Sequence, residues 1–100
     1  MRSSPELELS LRASTDIAEI LQYSLVTWGI QQRDDYAESL DRAFDTIVDY
    51  PEIGPVFRED PPLRAYEVRE HIVFYEMRES TLYVQRVLHK RMRARAILSE

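Results

Sequence analysis

The sequence predicts an α+β fold: a strand, an antiparallel helix hairpin, then a three-stranded meander. Together these give a four-stranded, largely antiparallel sheet packed on two helices. Three observations predict it. Leu7, Leu9 and Leu11 alternate with Glu6, Glu8 and Ser10, the period of a strand with one buried face. Two segments of helical period follow, divided by the single Gly29. Three short apolar and aromatic runs then lie between Leu63 and Met92, separated by Arg69-Glu70 and by Arg78-Glu79-Ser80, the pattern of strands joined by tight turns.

The first strand is expected over residues 6–12, with Pro5 at its start, where a missing N–H is tolerated. A helix is expected over 14–28. Ser14, Thr15 and Asp16 are all N-cap residue types, and Asp16 followed by Glu19 has the spacing of a capping box. Ile17, Ile20, Leu21, Ser24 and Trp28 share one face, and Gly29 is a C-cap able to take positive φ. The second helix is expected over 30–50. Tyr36, Leu40, Ala43, Phe44, Ile47 and Val48 recur at intervals of three and four, and Pro51 ends it. Trp28, Tyr36 and Phe44 read as core.

Residues 51–62 hold four of the five prolines and the second glycine. They read as a loop, long for a compact domain, with Ile53, Val56 and Phe57 pinning it to the body. Strands are expected over 63–69, 71–77 and 81–88, followed by a basic tail over 89–100. Val73, Tyr75 and Met77 alternate with Ile72 and Phe74, and Leu82, Val84 and Leu88 with Tyr83 and Val87. Both faces of the meander are therefore apolar. One helix hairpin covers one face, so chain termini, a second copy or a partner must cover part of the other.

The chain has 100 residues and reads as a single domain. It has no cysteine, which removes disulfides, thiol catalysis and cysteine-based metal sites and fits a reducing compartment. It shows neither a signal peptide nor an 18-residue apolar run, so a cytoplasmic protein without membrane contact is expected. The net charge is −5, but residues 85–100 carry five cations against Glu100, leaving −9 on the residues before them. An acidic body with a basic tail argues against direct sequence-specific nucleic-acid binding, while the tail remains able to make a local anionic contact.

No phosphate-binding glycine loop, metalloprotease motif or nucleophile elbow is present. No cofactor and no metal are expected. One chemistry survives. Metal-free RNA cleavage needs a base, an acid and cations for the phosphate, and His89 with Arg64, Arg69 and Arg86 offers some of these. His71, opening a strand after a turn, reads as a hydrogen-bonded structural residue.

The motifs taken together resemble the RelE/ParE superfamily of toxins from type II toxin–antitoxin systems. They are ELELSLR, the Trp28-Gly29 helix end, Pro51-Glu52-Ile53-Gly54, LRAYEV, HIVFY and VLHKRM. The resemblance covers almost the whole chain and implies a cognate ParD-like antitoxin laid over an apolar groove and sheet, with Ile72, Phe74, Tyr83 and Val87 as candidate contacts. In this superfamily, members of one branch inhibit DNA gyrase and members of the other cut messenger RNA on the ribosome. The nuclease branch would use Arg64, Arg86 and His89. Lys90 stands where nucleases often carry a tyrosine, and the body is acidic, so the resemblance is to the ParE branch. That implies gyrase as the target, bound by protein–protein contact with no catalytic residue. Arg86, His89, Lys90, Arg91, Arg93 and Arg95 are the candidate target contacts. A module that binds only its antitoxin is the remaining alternative.

Overall fold

The computed structural model describes residues 4–99. Its elements run β1 Glu6–Leu9, α1 Leu11–Trp28, α2 Ile30–Asp49, β2 Val56–Glu59, β3 Pro62–Val68, β4 His71–Arg78, β5 Thr81–His89 and α3 Ala94–Leu98. The strands form one five-stranded sheet in the order β1-β5-β4-β3-β2. All neighbours are antiparallel except β1, which lies parallel to β5. The sheet thus has one strand more than expected. Val56–Glu59, within the predicted loop, pairs with β3 across the sharp turn made by Asp60 and Pro61. Pro61 lies in the turn and Pro62 is the first residue of β3, both positions that tolerate a missing N–H.

The helix begins three residues earlier than its cap signals suggested. Ser10, not Asp16, is the N-cap: its backbone is extended and its hydroxyl accepts the Ala13 N–H at 2.9 Å. The strand therefore stops at Leu9, and Leu11, expected on the buried face of that strand, becomes an exposed first helical residue. Gly29 joins the helices at φ 97°, with its N–H donating to the Leu25 carbonyl. That backbone angle is open to glycine and strained for other residues.

Two apolar clusters lie on opposite faces of the sheet. The larger packs Tyr36, Leu40, Phe44 and Ile47 of α2 and Ala13 of α1 against Val73, Tyr75, Leu82, Val84 and Val87. The smaller joins Leu63, Phe74 and Leu88 to Leu98 of α3. The second face is thus closed in part by the chain's own terminus. Arg58 fastens it, donating from Nη1 to the Leu98 carbonyl at 2.9 Å. Phe57 meets Phe74 edge to face at 5.0 Å, and the Arg95 guanidinium lies over the Phe57 ring. The basic tail is therefore not a free segment.

A bulge decides which β5 residues face the helices. Phe74 pairs with Arg86 but Tyr75 pairs with Val84, leaving Gln85 as an extra residue. Strict alternation puts Val87 with Tyr83 on the outer face. The extra residue reverses the phase beyond it, so Val87 joins Leu82 and Val84 in the larger core and Leu88 turns to the smaller one. The polar groups around the bulge bond to α1. The Ser10 hydroxyl donates to the Gln85 carbonyl at 2.6 Å, and the Val87 N–H donates to Asp16 Oδ2 at 2.9 Å.

Candidate functional site

At the end of the sheet where β4 begins and β5 ends, the hairpin stands away from the strands and leaves a cleft of about 590 Å³. Its floor is an ion pair. Arg86 donates from Nε and Nη2 to the two carboxylate oxygens of Asp16, at 2.9 and 3.0 Å. Both side chains are largely buried, at 17% and 12% exposure, and the carboxylate raises the Arg86 pKa further. Asp16, expected as a helix cap, instead ties α1 to the bulge.

One wall carries both histidines. His71 and His89 are cross-strand partners, with rings edge to face at 5.2 Å. His71 Nδ1 is hydrogen-bonded to the Tyr36 hydroxyl, which also accepts the Glu70 N–H at 3.3 Å. The hydroxyl thus links the His71 ring to the turn before β4, and the direction of its bond to Nδ1 is set by the His71 tautomer. Burial and the neighbouring His89 lower the His71 pKa, against smaller opposing effects of Glu70 and Asp16. Burial raises the Tyr36 pKa.

A stability signature follows. The unfolded chain binds a proton at His71 near the ordinary value of about 6.5, whereas the folded chain resists it until lower pH. Folding stability should be unaffected by His71 above that value. It should fall as pH drops through about 6.5, and level off once pH is below the folded pKa. Urea midpoints measured between pH 5 and 8 should show this slope, and His71→Gln should flatten it. An unchanged slope in the variant would sink the assignment.

The opposite wall is aromatic. Trp28 keeps the inward helical phase of Ile17, Ile20 and Leu21. It sits, however, in the last turn of α1, where the cleft rather than a strand lies beneath it, and it is 69% exposed. The expectation of a core Trp28 is corrected; Tyr36 and Phe44 are buried as expected. Tyr23, Val26 and Ile30 are exposed beside Trp28. Part of the apolar surface left open therefore lies on the tip and outer side of the hairpin; Ile53 and Val56, expected to pin the loop to the body, are exposed too.

The chain and its fold have known counterparts. A sequence model described as "ParE toxin of type II toxin-antitoxin system, parDE" matches residues 7–94. The chain is 38% identical over 94 residues to Toxin ParE1 of Caulobacter vibrioides, covering 90% of this chain and 94% of that protein. It is 35% identical over 86 residues to Toxin ParE1 of Mycobacterium tuberculosis, covering 84% and 88% respectively. The chain belongs to the ParE toxin family. The fold agrees: a chain of the chromosomal ParDE toxin–antitoxin system of P. aeruginosa superposes with a TM-score of 0.75 at 11% identity, over 86% of this chain and 96% of that one.

Of the residues of the nuclease alternative, Arg86 and His89 line the same cleft, but Arg64 stands apart from them. Arg64 faces Tyr75 across β3–β4, while His89 faces His71. The four-residue offset along β4 is roughly 13 Å of strand. Arg64 donates from Nη1 to the carbonyls of Gly54 and Glu52, at 2.7 and 3.1 Å, and Arg86 is held by Asp16.

The candidate target contacts separate as well. Arg86 is largely buried. Lys90 reaches Glu67 at 3.4 Å and Glu70 at 4.0 Å. Arg95 lies over Phe57. His89 is half-buried in the cleft wall, its Nδ1 accepting the Arg91 N–H at 3.1 Å. Arg91 and Arg93 are exposed and make no ion pair among the described residues.

Of the candidate antitoxin contacts, Phe74 is 1% exposed and Val87 2%; the terminus covers one and the bulge turns the other inward. Ile72 and Tyr83 are half-buried, and Tyr83 carries the Arg78 guanidinium over its ring at 4.3 Å. They do not form one open apolar face. Sequence reasoning missed the cleft's Tyr36–His71–His89 group, because these residues are 35 and 18 positions apart and are united only by the packing of α2 on the sheet and the β4–β5 register. It also missed the exposed hairpin tip, although Trp28 beside a turn glycine was a signal for it. Among the described residues no cluster of three metal-ligand side chains exists, and no helix is long and apolar enough to cross a membrane.

Proposed function

We propose that this chain is the toxin of a type II toxin–antitoxin pair, that it inhibits DNA gyrase by protein–protein contact, and that a ParD-like antitoxin neutralises it. The observation that carries this reading is the ParE-family match over residues 7–94, which includes the cleft and both faces of the sheet. The exposed Tyr23, Val26, Trp28 and Ile30 supply the apolar surface that an antitoxin segment would bury. The separation of Arg64 from His89 and the Asp16 clamp on Arg86 favour this reading over RNA cleavage, and no chemical step is assigned to any residue.

The tail supplies the cations offered to gyrase. Truncating it is a poor test, because Leu98 closes the smaller core. Charge reversal at Arg91 and Arg93, both exposed and outside the cores, avoids that problem. Purified protein should block gyrase supercoiling, and Arg91→Glu/Arg93→Glu should raise the concentration needed about tenfold, with an unchanged melting temperature. Full supercoiling at saturating wild-type protein, together with ribosome-dependent cutting of messenger RNA, would replace this reading with the nuclease one.

A further inference from the structure

We propose that the cleft between the hairpin and the β4–β5 end receives a cationic side chain, arginine or lysine, carried on an apolar segment of the antitoxin. The inference rests on the antitoxin reading above and adds the chemistry of the anchor.

Charge is the first observation. The ionisable groups around the cleft include three carboxylates, Asp16, Glu19 and Glu70, against one guanidinium, Arg86. Arg86 is already satisfied by Asp16. Glu19 makes no ion pair among the described residues, and Glu70 has only a 4.0 Å approach from Lys90. An incoming anion meets net repulsion here, and a cation meets attraction.

The second observation is a buried donor and acceptor without a partner. Ser24 lines the cleft and is 5% exposed, yet its hydroxyl makes no hydrogen bond. It is the one such buried side-chain atom among the described residues. Buried polar atoms in folded proteins are nearly always paired, and an N–H of a guanidinium or ammonium reaching into the cleft would pair this one.

The third is the aromatic wall. Trp28 and Tyr23 stand exposed at the cleft, and indole and phenol faces attract cations, guanidinium most often. Their apolar area also matches an apolar flank on the incoming segment. A volume of about 590 Å³ leaves room for one long side chain and part of its neighbours.

His71 makes the contact sensitive to pH. His71 is faced by Asp16 and Glu19 from α1, Tyr36 from α2, Arg69 and Glu70 from the turn, and Arg86, His89 and Lys90 from β5 and its exit. At neutral pH the lowered pKa of His71, held against Tyr36, leaves it uncharged. Adding a proton to this wall places a second cation beside the incoming one.

The experiment uses the single tryptophan, Trp28, as reporter. The full chain is titrated with acetyl-Leu-Arg-Leu-Leu-amide and with its Gln and Glu counterparts. The arginine peptide should shift Trp28 emission at a concentration at least tenfold below that of either counterpart. Glu19→Gln/Glu70→Gln should remove this preference with unchanged circular dichroism, and the preference should hold through the ordinary histidine range and decline only at lower pH, where the depressed His71 pKa is crossed. Equal response to all three peptides, or a stronger response to the Glu peptide, overturns the proposal.

A second arm compares complexes with the co-encoded antitoxin. Wild-type binding weakened at least tenfold by Glu19→Gln/Glu70→Gln supports the anchor. Equal binding by wild type and variant overturns the anchor and leaves the antitoxin reading standing. No complex with the wild type overturns both.

Discussion

Asp16→Ala is expected to lower the unfolding free energy by about 3 kcal/mol, the cost of stranding one member of a buried ion pair. For a domain of this length that corresponds to a fall in melting temperature of roughly 15 °C. The carboxylate accepts three hydrogen bonds, two from Arg86 and one from the Val87 N–H. Its loss leaves a largely buried guanidinium and a backbone donor of the bulge unpaired at once. Asp16→Asn keeps an acceptor for Val87 and should cost less, about 1–2 kcal/mol. Asp16→Leu/Arg86→Met removes both charges together and should recover most of the loss, because two apolar side chains of similar length need no desolvated partner. Urea denaturation of the four proteins decides it. If Asp16→Ala costs under 0.5 kcal/mol, the pair does not hold the helix on the bulge.

The second large effect is expected at Gly54→Ala. A Cβ there would stand 2.8 Å from Tyr75 Oη, 3.0 Å from its Cε1 and 3.1 Å from the Ala65 carbonyl oxygen. Tyr75 is fully buried and has no freedom to retreat. Its hydroxyl accepts the Gly54 N–H at 3.0 Å and donates to the Pro51 carbonyl at 2.8 Å, and burial raises its pKa. The variant must break these bonds or push the loop outward, at a cost of about 3 kcal/mol from overpacking and lost hydrogen bonds together. Tyr75→Phe alone leaves two polar groups unpaired and should cost about 1–3 kcal/mol. The double variant should be less damaging than the sum of the singles, since the second change removes the atom in the way. Strict additivity would show that the Tyr75 hydroxyl is not what excludes a side chain at Gly54. Gly54 was legible in the sequence as part of the stop after the second helix. Its closer reason is the Tyr75 ring against its backbone, which no local pattern reveals.

Local patterns fixed much of the architecture. The three- and four-residue spacing of Tyr36, Leu40, Ala43, Phe44 and Ile47 placed α2 and its buried face correctly. Gly29 marked the break between helices, and the turns at Arg69-Glu70 and Glu79-Ser80 separate the predicted strands. The two apolar faces of the meander were read correctly as needing two covers. β2 escaped notice because four prolines and a glycine obscure a four-residue edge strand held by its neighbour more than by its own propensity. The helix start was misplaced because Ser10, Ser14, Thr15 and Asp16 are all good caps. Only the Gln85 carbonyl and Ala13 N–H meeting at Ser10 select among them.

The sequence by itself determined the order of strand, helix hairpin and meander, the core face of α2, and the motif set that marks a ParE toxin. These depend on periodicity and on residues close in the chain. Only the tertiary structure decided which side of the sheet Val87 faces, what covers Phe74, where Trp28 points, and which arginines remain free. Each of these turns on a single unpaired residue or a long-range bond. One extra residue at Gln85 reverses a strand's alternation, one carboxylate at Asp16 consumes Arg86, and one short helix covers part of the second face. A period-2 or period-3.6 pattern contains no information about such events, because they are set by register and by partners up to 75 positions away.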